Sequence, residues 1–189
     1  WILFRTRLSE NLFKGLSPWM QKLPGGLIHV NVVGCALFAA ISGSSAATVA
    51  TVGKMSIPEL RKRNYPEKIL LGSLAGSGTL GLLIPPSIIL IIYGVAVQES
   101  IAKLFIAGIL PGIMIALIFM SYVIIWSLIN KKEMPKILEE YSFLEKIKRS
   151  KQLLPVIMLI LAVIGSIYTG IATATEAASL GVVGALILS

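Results

Sequence analysis

The chain of 189 residues is 56% hydrophobic and only 14% charged, with a mean hydropathy of +0.86. These values exclude a soluble domain with a solvated surface and predict an integral membrane protein. Lys and Arg number 17 against 9 acidic residues. Because the basic residues are concentrated between apolar stretches, they indicate cytoplasmic loops beside anionic lipid rather than a nucleic-acid interface.

Two features concern the chain as a whole. It begins at Trp1, and its last residues, GVVGALILS, lie in an apolar run shorter than a membrane span, which favours a fragment of a longer protein. Cys35 is the single cysteine of the sequence. A disulfide framework within the chain is therefore excluded.

The first apolar stretch, residues 27–53, is flanked by basic residues on both sides, so both of its ends are expected on the cytoplasmic face. As one helix it would be about 40 Å long, whereas folded in two each arm would be about 20 Å long. The sequence therefore predicts a re-entrant helical hairpin whose tip consists of Ser42, Gly43, Ser44 and Ser45. A plain span whose small residues pack against neighbouring helices is the alternative.

The basic loop after the hairpin carries a local helix signal. Ser56 and Glu59 have the spacing of a capping box, and Pro66 follows them. This pattern predicts a short surface helix that begins at Ser56.

The second apolar stretch, residues 69–98, contains the adjacent prolines Pro85 and Pro86. Because proline has no amide hydrogen, helical carbonyls one turn earlier lose their partners. The preceding backbone is rich in glycines and hydroxyl groups: Gly76, Ser77, Gly78, Thr79 and Gly81. A helix broken here would present carbonyl oxygens to a cation and amide groups, from Ser87 onward, to an anion. A proline kink that only shapes packing is the alternative.

The hairpin tip and the proline break are predicted to lie at the same depth in the bilayer. The tip also offers the hydroxyl of Thr48, and hydroxyl and carbonyl oxygens suit Na⁺. Two polar interruptions that meet near the midplane are typical of secondary transporters, so the sequence predicts a Na⁺ site between them. Two alternatives remain: Thr48 bonds back to its own helix, or the chain is a membrane scaffold whose polar breaks only pack.

The later part of the chain alternates apolar and basic segments. Residues 104–130 and 153–170 are predicted spans, and residues 176–189 begin a further helix. The basic connector 131–151 has apolar residues at spacings of three and four, which predict an amphipathic helix on the cytoplasmic face: Ile137, Tyr141, Leu144 and Ile147. The expected fold class is thus an all-α integral membrane protein, a multi-span bundle with a re-entrant hairpin and a proline-broken transmembrane helix.

Glu176 is a carboxylate between two apolar runs, which makes it and its neighbours Thr173 and Thr175 further candidates for a functional site. Capping of the following helix from Thr175 is the structural alternative. The sequence contains no nucleophile–base pairing, phosphate loop or zinc-ligand spacing. We therefore expect neither an enzyme nor a metal other than Na⁺.

Five motifs, in the order LPGGL, AAISGSSAATVATVG, GLLIPPSIILIIYGVA, LFIAGILPGI and TATEAA, resemble the large membrane subunit of TRAP transporters, the DctM-like proteins. The resemblance covers nearly the whole chain, although Ala174 stands where the family pattern TPTEA has proline. It implies a multi-pass carrier of a bacterial or archaeal inner membrane. Such a carrier resembles Na⁺-driven elevator proteins and imports organic acids such as C4-dicarboxylates or sialic-acid-like carboxylates.

The resemblance also implies partners and a site. The partners are a small four-helix membrane subunit and a periplasmic substrate-binding protein. The site is one Na⁺ position framed by residues 42–45 and residues 76–87. It further implies that the chain is less than half of a full subunit and lacks the first helices and the second inverted repeat. A carrier of the wider ion-transporter group, specific for dicarboxylate or arsenite and independent of a binding protein, is the alternative.

Overall fold

The computed structural model describes residues 8–135 and 141–187, and within these ranges the protein is helical and has no strand. The all-helical class expected from the sequence is confirmed. Nine α-helices lie in the described part of the chain: α1 Leu8–Met20, α2 His29–Ser42, α3 Ser45–Lys62, α4 Glu67–Gly78, α5 Ile88–Val97, α6 Ile101–Ile129, α7 Phe143–Ser150, α8 Leu154–Tyr168 and α9 Ala174–Ile187.

Helices α2 and α3 form an antiparallel pair. Helix α2 ends because Gly43 adopts a left-handed conformation, φ 59°, and its amide donates to the carbonyl of Ala39 at 2.9 Å. Ser44 is extended, φ −134°, and caps the start of α3. The chain therefore reverses within two residues, and Gly34 of the first arm lies beside Val52 of the second.

The prediction of a separate helix from Ser56 is wrong, because α3 runs without interruption through Pro58 to Lys62. The Ser56 hydroxyl is buried and has no hydrogen-bond partner among the described residues, whereas a capping serine accepts a bond from an amide of the next turn. Helix α3 buries Val52 and Leu60 in the main core along its length. That burial outweighs a local cap that would have divided the helix.

The second interruption separates α4 from α5. Helix α4 ends at Gly78 and continues into a 3₁₀ turn, Thr79–Leu82, after which residues 83–87 are irregular. The peptide bond between Pro85 and Pro86 is cis. Helix α5 begins at Ile88, after an extended Ser87 with φ −116°. The chain thus leaves the helical path around the two prolines and resumes it with a new helix start.

The remaining helices are strongly apolar. Among the residues that the structure describes, two helical stretches are long and apolar enough to cross a membrane, Ile101–Ile129 and Phe143–Tyr168. Large apolar side chains on the outer surface of α6, such as Leu110 and Ile129, are 76% exposed. A surface of this kind suits contact with lipid or with further apolar helices.

The connector before α8 contains the short helix α7, Phe143–Ser150. Its start has a capping box, in which the Ser142 amide donates to the Glu145 carboxylate at 2.9 Å. The apolar residues Leu144 and Ile147 of the predicted stripe lie on this helix, Tyr141 precedes it, and Ile137 lies outside the described residues.

The main core joins α1, α2, α3 and α4 with the start of α8. At its edge the amide of Leu27 donates to the Tyr65 hydroxyl at 3.0 Å. Burial raises the pKa of Tyr65, so this hydroxyl is protonated at neutral pH. The bond ties the entrance of α2 to the loop between α3 and α4.

Candidate ion site between two helix interruptions

The two interruptions of the helical chain touch each other. The amide of Ile88 points to the carbonyl of Gly43, with a long N···O distance of 3.4 Å. A Cβ atom at Gly43 would lie 2.6 Å from the carbonyl oxygen of Pro86, and one at Gly81 would lie 2.9 Å from the amide nitrogen of Ser45. Real Cβ atoms do not approach so closely, so glycine is required at both positions for this backbone contact.

Four helix ends meet at this contact. Helices α2 and α4, with its 3₁₀ extension, arrive with their carbonyl ends, and α3 and α5 leave with their amide ends. Carbonyl ends carry partial negative charge and attract cations, while amide ends carry partial positive charge and attract anions. The contact therefore has the chemistry to hold a cation and a carboxylate close together.

The first interruption supplies hydroxyl oxygens. Ser42 and Thr48 share a hydrogen bond of 2.8 Å between their hydroxyls, and Thr48 is fully buried. The hydroxyl of Ser45 is buried and has no hydrogen-bond partner among the described residues. The hydroxyl of Ser44 accepts only a long cap bond of 3.5 Å from the Ala47 amide. Burial of a hydroxyl without a partner costs free energy, so a ligand that bonds to this hydroxyl would stabilise the tip.

The second interruption uses its hydroxyls internally. Ser87 is fully buried and donates to the carbonyl of Leu82 at 2.6 Å, which replaces the bond that Pro86 cannot donate. Thr79 donates to Gly76 at 2.7 Å, and Ser77 donates to Ser73 at 2.5 Å. Ser87 therefore satisfies a carbonyl at the proline break, while Ser77 and Thr79 bond to carbonyls of their own helix.

Other predicted residues support the break from the side of α6. Gly76 faces the ring of Phe119, which would lie 3.3 Å from a Cβ atom added there. Pro85 and Leu83 lie against Gly108, whose added Cβ would meet the Leu83 carbonyl at 2.8 Å. Gly78 packs against Val49 of α3, again with no room for a Cβ. Gly76 and Pro85 therefore pack against α6, while Gly78 and Gly81 allow the proline break to contact the hairpin.

Thr173, Thr175 and Glu176 form a cap of their own at the start of α9. The amide and the hydroxyl of Thr173 both donate to the Glu176 carboxylate at 2.8 Å, and the Glu176 amide points back to the Thr173 hydroxyl at 3.3 Å. This reciprocal pattern is that of a capping box, and its capping residue is Thr173 rather than Thr175.

Sequence reasoning missed Asn31, a fully buried residue in the first arm of the hairpin. Its side-chain amide donates to the carbonyl of Leu70 at 3.2 Å and to the Ser73 hydroxyl at 3.0 Å. These bonds join α2 to α4, so the hairpin and the first half of the broken helix are held together. An asparagine inside an otherwise apolar run is the signal that could have revealed this link.

Comparison with known proteins gives a consistent result. The family model described as "Tripartite ATP-independent periplasmic transporter, DctM component" matches residues 1–189. The chain is 41% identical to the C4-dicarboxylate TRAP transporter large permease protein DctM of Pseudomonas aeruginosa, over 84% of this chain and 36% of that protein. It is 35% identical to the ectoine/5-hydroxyectoine TRAP transporter large permease protein UehC of Ruegeria pomeroyi, over 99% of this chain and 43% of that protein.

A third relative is the sialic acid TRAP transporter permease protein SiaT of Haemophilus influenzae, 36% identical over 90% of this chain and 27% of that protein. The chain thus spans less than half the length of each of these three relatives. The matching proteins are named for the transport of different solutes.

Proposed function

Because the chain belongs to the DctM family of tripartite ATP-independent periplasmic (TRAP) transporters, we propose that it is part of the large permease subunit of a Na⁺-coupled importer of organic acids. The family consists of transporter components and not of enzymes, which confirms the expectation that the chain is not an enzyme. The observation that carries the proposal is the contact between the two helix interruptions, Gly43 to Pro86 and Ser45 to Gly81.

Na⁺ is the proposed coupling ion, and its ligands are oxygens of the hairpin tip. Ser42 and Ser45 provide hydroxyls, and the carbonyl ends of α2 and α4 add partial negative charge. Of these groups the unpartnered hydroxyl of Ser45 gains most from a cation, because it gives up no existing bond. Serine and backbone oxygens are the donors that secondary transporters use for Na⁺ at unwound helices.

The substrate is proposed to be an organic acid whose carboxylate faces the amide ends of α3 and α5, which begin at Ser45 and Ile88. A C4-dicarboxylate or a sialic-acid-like carboxylate fits this chemistry, and the relatives named for C4-dicarboxylate and sialic acid support it. Binding of the cation beside these amides would favour binding of the anion. The coupling is reciprocal, so substrate tightens Na⁺ by the factor by which Na⁺ tightens substrate.

In the membrane, α2 and α3 are proposed to form a re-entrant hairpin, and α4 and α5 a transmembrane helix broken at the prolines. The basic segments after Lys54 and after Lys131 support a cytoplasmic position for both loops. Irregular backbone at membrane depth must be satisfied by protein or water, and the contact between the interruptions supplies this. The expected location is the inner membrane of a bacterium or archaeon.

Transport is proposed to follow an elevator motion in which the hairpin and the broken helix move as one body. The bonds from Asn31 to α4 and the contact of Gly81 with Ser45 support this, since they join the two elements at separate levels. A periplasmic binding protein is expected to deliver the substrate, and a small four-helix membrane subunit to complete the complex. The words "tripartite" and "periplasmic" in the family description support both partners.

Uptake by the full-length permease in liposomes tests the proposal. We expect Ser45→Ala to raise the Na⁺ concentration for half-maximal uptake by about tenfold, because a ligand to a charged group is lost. Ser42→Ala should act in the same direction. Ser121→Ala is the matched control, since Ser121 lies exposed on α6 and donates to its own helix at Leu117.

Two results would contradict the proposal. An unchanged Na⁺ dependence in both hairpin variants would exclude the ion site, and uptake that needs no periplasmic binding protein would exclude the tripartite assignment. Uptake without a binding protein would instead identify a carrier of the wider ion-transporter group.

A further inference from the structure

A basic cleft lies between α1, the end of α3 and the segment around α7. Its volume is about 360 Å³. The cleft contains four cationic side chains and one carboxylate among the described residues that line it: Lys14, Lys54, Arg63, Arg149 and Glu59. The residues of α3 that line the cleft begin at Lys54, nine residues after Ser45, so the cleft is separated from the candidate ion site by about 14 Å along the helix.

The geometry of the two arginines suits a bound anion. Arg149 stacks on the ring of Tyr141, with the guanidinium carbon 4.2 Å from the ring centroid, which holds the guanidinium in a fixed plane. Arg63 forms a long ion pair with Glu59, in which Nε and Oε2 are 3.8 Å apart. A planar guanidinium matches the paired oxygens of a phosphate, and Lys14 and Lys54 add point charges at the same cleft.

The lining of the cleft also includes apolar side chains. They are Phe13, Met55 and Pro58, and the hydroxyl of Ser17 is bonded back to the carbonyl of Phe13 at 2.6 Å. A lining that combines cationic and apolar side chains can contact both the charged and the apolar parts of a lipid at the membrane surface.

Helix α7 places this cleft at the level of the headgroups. Phe143, Leu144 and Ile147 share one face of the helix and are 67%, 77% and 44% exposed, whereas Arg149 lies on the opposite face. Helix α7 continues through the 3₁₀ turn Lys151–Leu153 into α8, within a helical stretch long enough to cross a membrane, so its exposed apolar face lies where that stretch meets the membrane surface. Trp19 fixes α7 to α1 through a bond of 2.8 Å from its indole nitrogen to the Ser150 hydroxyl.

We infer that the cleft binds the phosphate group of an acidic phospholipid from the cytoplasmic leaflet. The four cations recognise the phosphate, the apolar side chains of the lining contact the start of the acyl chains, and α7 brings the cleft to the membrane surface. A free phosphate ion has the same charged group but no apolar part, so it would not contact the apolar side chains of the cleft or of α7. The inference concerns a surface remote from the candidate ion site and does not rest on transport.

Native mass spectrometry of the full-length permease in detergent provides the test. Phosphatidylglycerol and phosphatidylcholine with identical acyl chains are titrated against the wild type, Arg149→Gln, Arg63→Gln and Lys148→Gln. Lys148 is the matched control, because it is an exposed cation on α7 next to Arg149 that does not line the cleft. A further arm adds inorganic phosphate to the complex with phosphatidylglycerol.

We expect the wild type to prefer phosphatidylglycerol and each arginine variant to weaken that binding by about fivefold. Lys148→Gln should change it less than twofold, and inorganic phosphate should not displace the lipid. The inference is overturned if Lys148→Gln weakens binding as much as Arg149→Gln, or if both arginine variants retain the wild-type preference. Displacement of the lipid by inorganic phosphate at equal concentration would replace the lipid site by a site for the soluble ion.

Discussion

The two helix interruptions have similar plans and different chemistry. Each ends one helix and begins another after an extended serine, Ser44 in the first and Ser87 in the second. The first is produced by a left-handed glycine, Gly43, which keeps its amide hydrogen. The second contains two prolines, which donate no amide hydrogen.

The serine hydroxyls of the two interruptions differ in their hydrogen bonds. At the second interruption Ser87 is committed to the Leu82 carbonyl at 2.6 Å, so its hydroxyl replaces a missing amide. At the first, Ser45 has a buried hydroxyl with no partner among the described residues. We therefore expect the proline break to keep its conformation when an ion binds, and the glycine turn to change its conformation.

The largest effect is expected from Gly43→Ala. The added Cβ would lie 2.6 Å from the Pro86 carbonyl, a backbone atom that cannot swing aside, and φ of 59° is strained for alanine. Together these costs predict a loss of Na⁺-driven uptake of about 100-fold. Gly170→Ala is the matched control, since Gly170 also has positive φ, 72°, but no atom of the described residues lies within 4 Å of its added Cβ. Equal losses in the two variants would show that strain matters and the contact does not.

Gly81→Ala should reduce uptake by about tenfold or more, because the added Cβ would lie 2.9 Å from the Ser45 amide. Its phenotype tests the same contact from the side of the proline break. Gly72→Ala is the control within α4: its added Cβ meets no atom of the described part of the chain within 4 Å, so it should leave uptake unchanged and favour the helix. An active Gly81→Ala permease would mean that the interruptions separate during transport.

Replacement of the two serines sharpens the comparison between the interruptions. Ser45→Ala should raise the Na⁺ concentration for half-maximal uptake and change the thermal stability little. Ser87→Ala should lower the free energy of unfolding by about 1–3 kcal/mol, because the Leu82 carbonyl loses its partner. The midpoint of thermal unfolding and the Na⁺ titration, measured on the same preparations, separate the two roles. These roles would be contradicted if Ser45→Ala lowered the thermal stability while Ser87→Ala changed the Na⁺ dependence.

The smallest effect is expected from Tyr65→Phe, which removes a bond far from both interruptions. The Leu27 amide would lose its acceptor, at a cost of about 1 kcal/mol in unfolding free energy. The Na⁺ dependence should remain that of the wild type. A changed Na⁺ dependence in this variant would show that the entrance of α2, and not the tip alone, sets the affinity.

Both helix interruptions lie at residues with a local chemical signal. Gly43 permits a left-handed turn, and Pro85 with Pro86 removes amide donors, so each acts within a few residues of itself. The prediction of a helix start at Ser56 used a local signal in the same way, but it was wrong. The course of α3 is set by the burial of Val52 and Leu60, which depends on partners distant in sequence. Helix propensity and capping are weak where packing opposes them.

The details of the site were less accessible to sequence analysis. The approach of Gly81 to Ser45 joins residues 36 positions apart, and no local rule indicates which glycine meets which serine. The commitment of Ser87 to Leu82 and of Glu176 to Thr173 depends on rotamers that the fold selects. Residue types therefore predicted a list of candidate oxygens, and the structure divides that list by hydrogen-bonding role.

Alkylation of a cysteine at the hairpin tip tests the ion site most directly. Ala46 is exposed beside Ser45, and Ala46→Cys is introduced into the full-length permease after Cys35 and all other cysteines have been replaced. If Na⁺ draws the tip against the proline break, Na⁺ should slow alkylation several-fold relative to K⁺ at equal ionic strength, and a control cysteine at exposed Thr169 should react equally in both salts. Equal rates at Ala46→Cys in Na⁺ and K⁺ would contradict a cation site between the two interruptions.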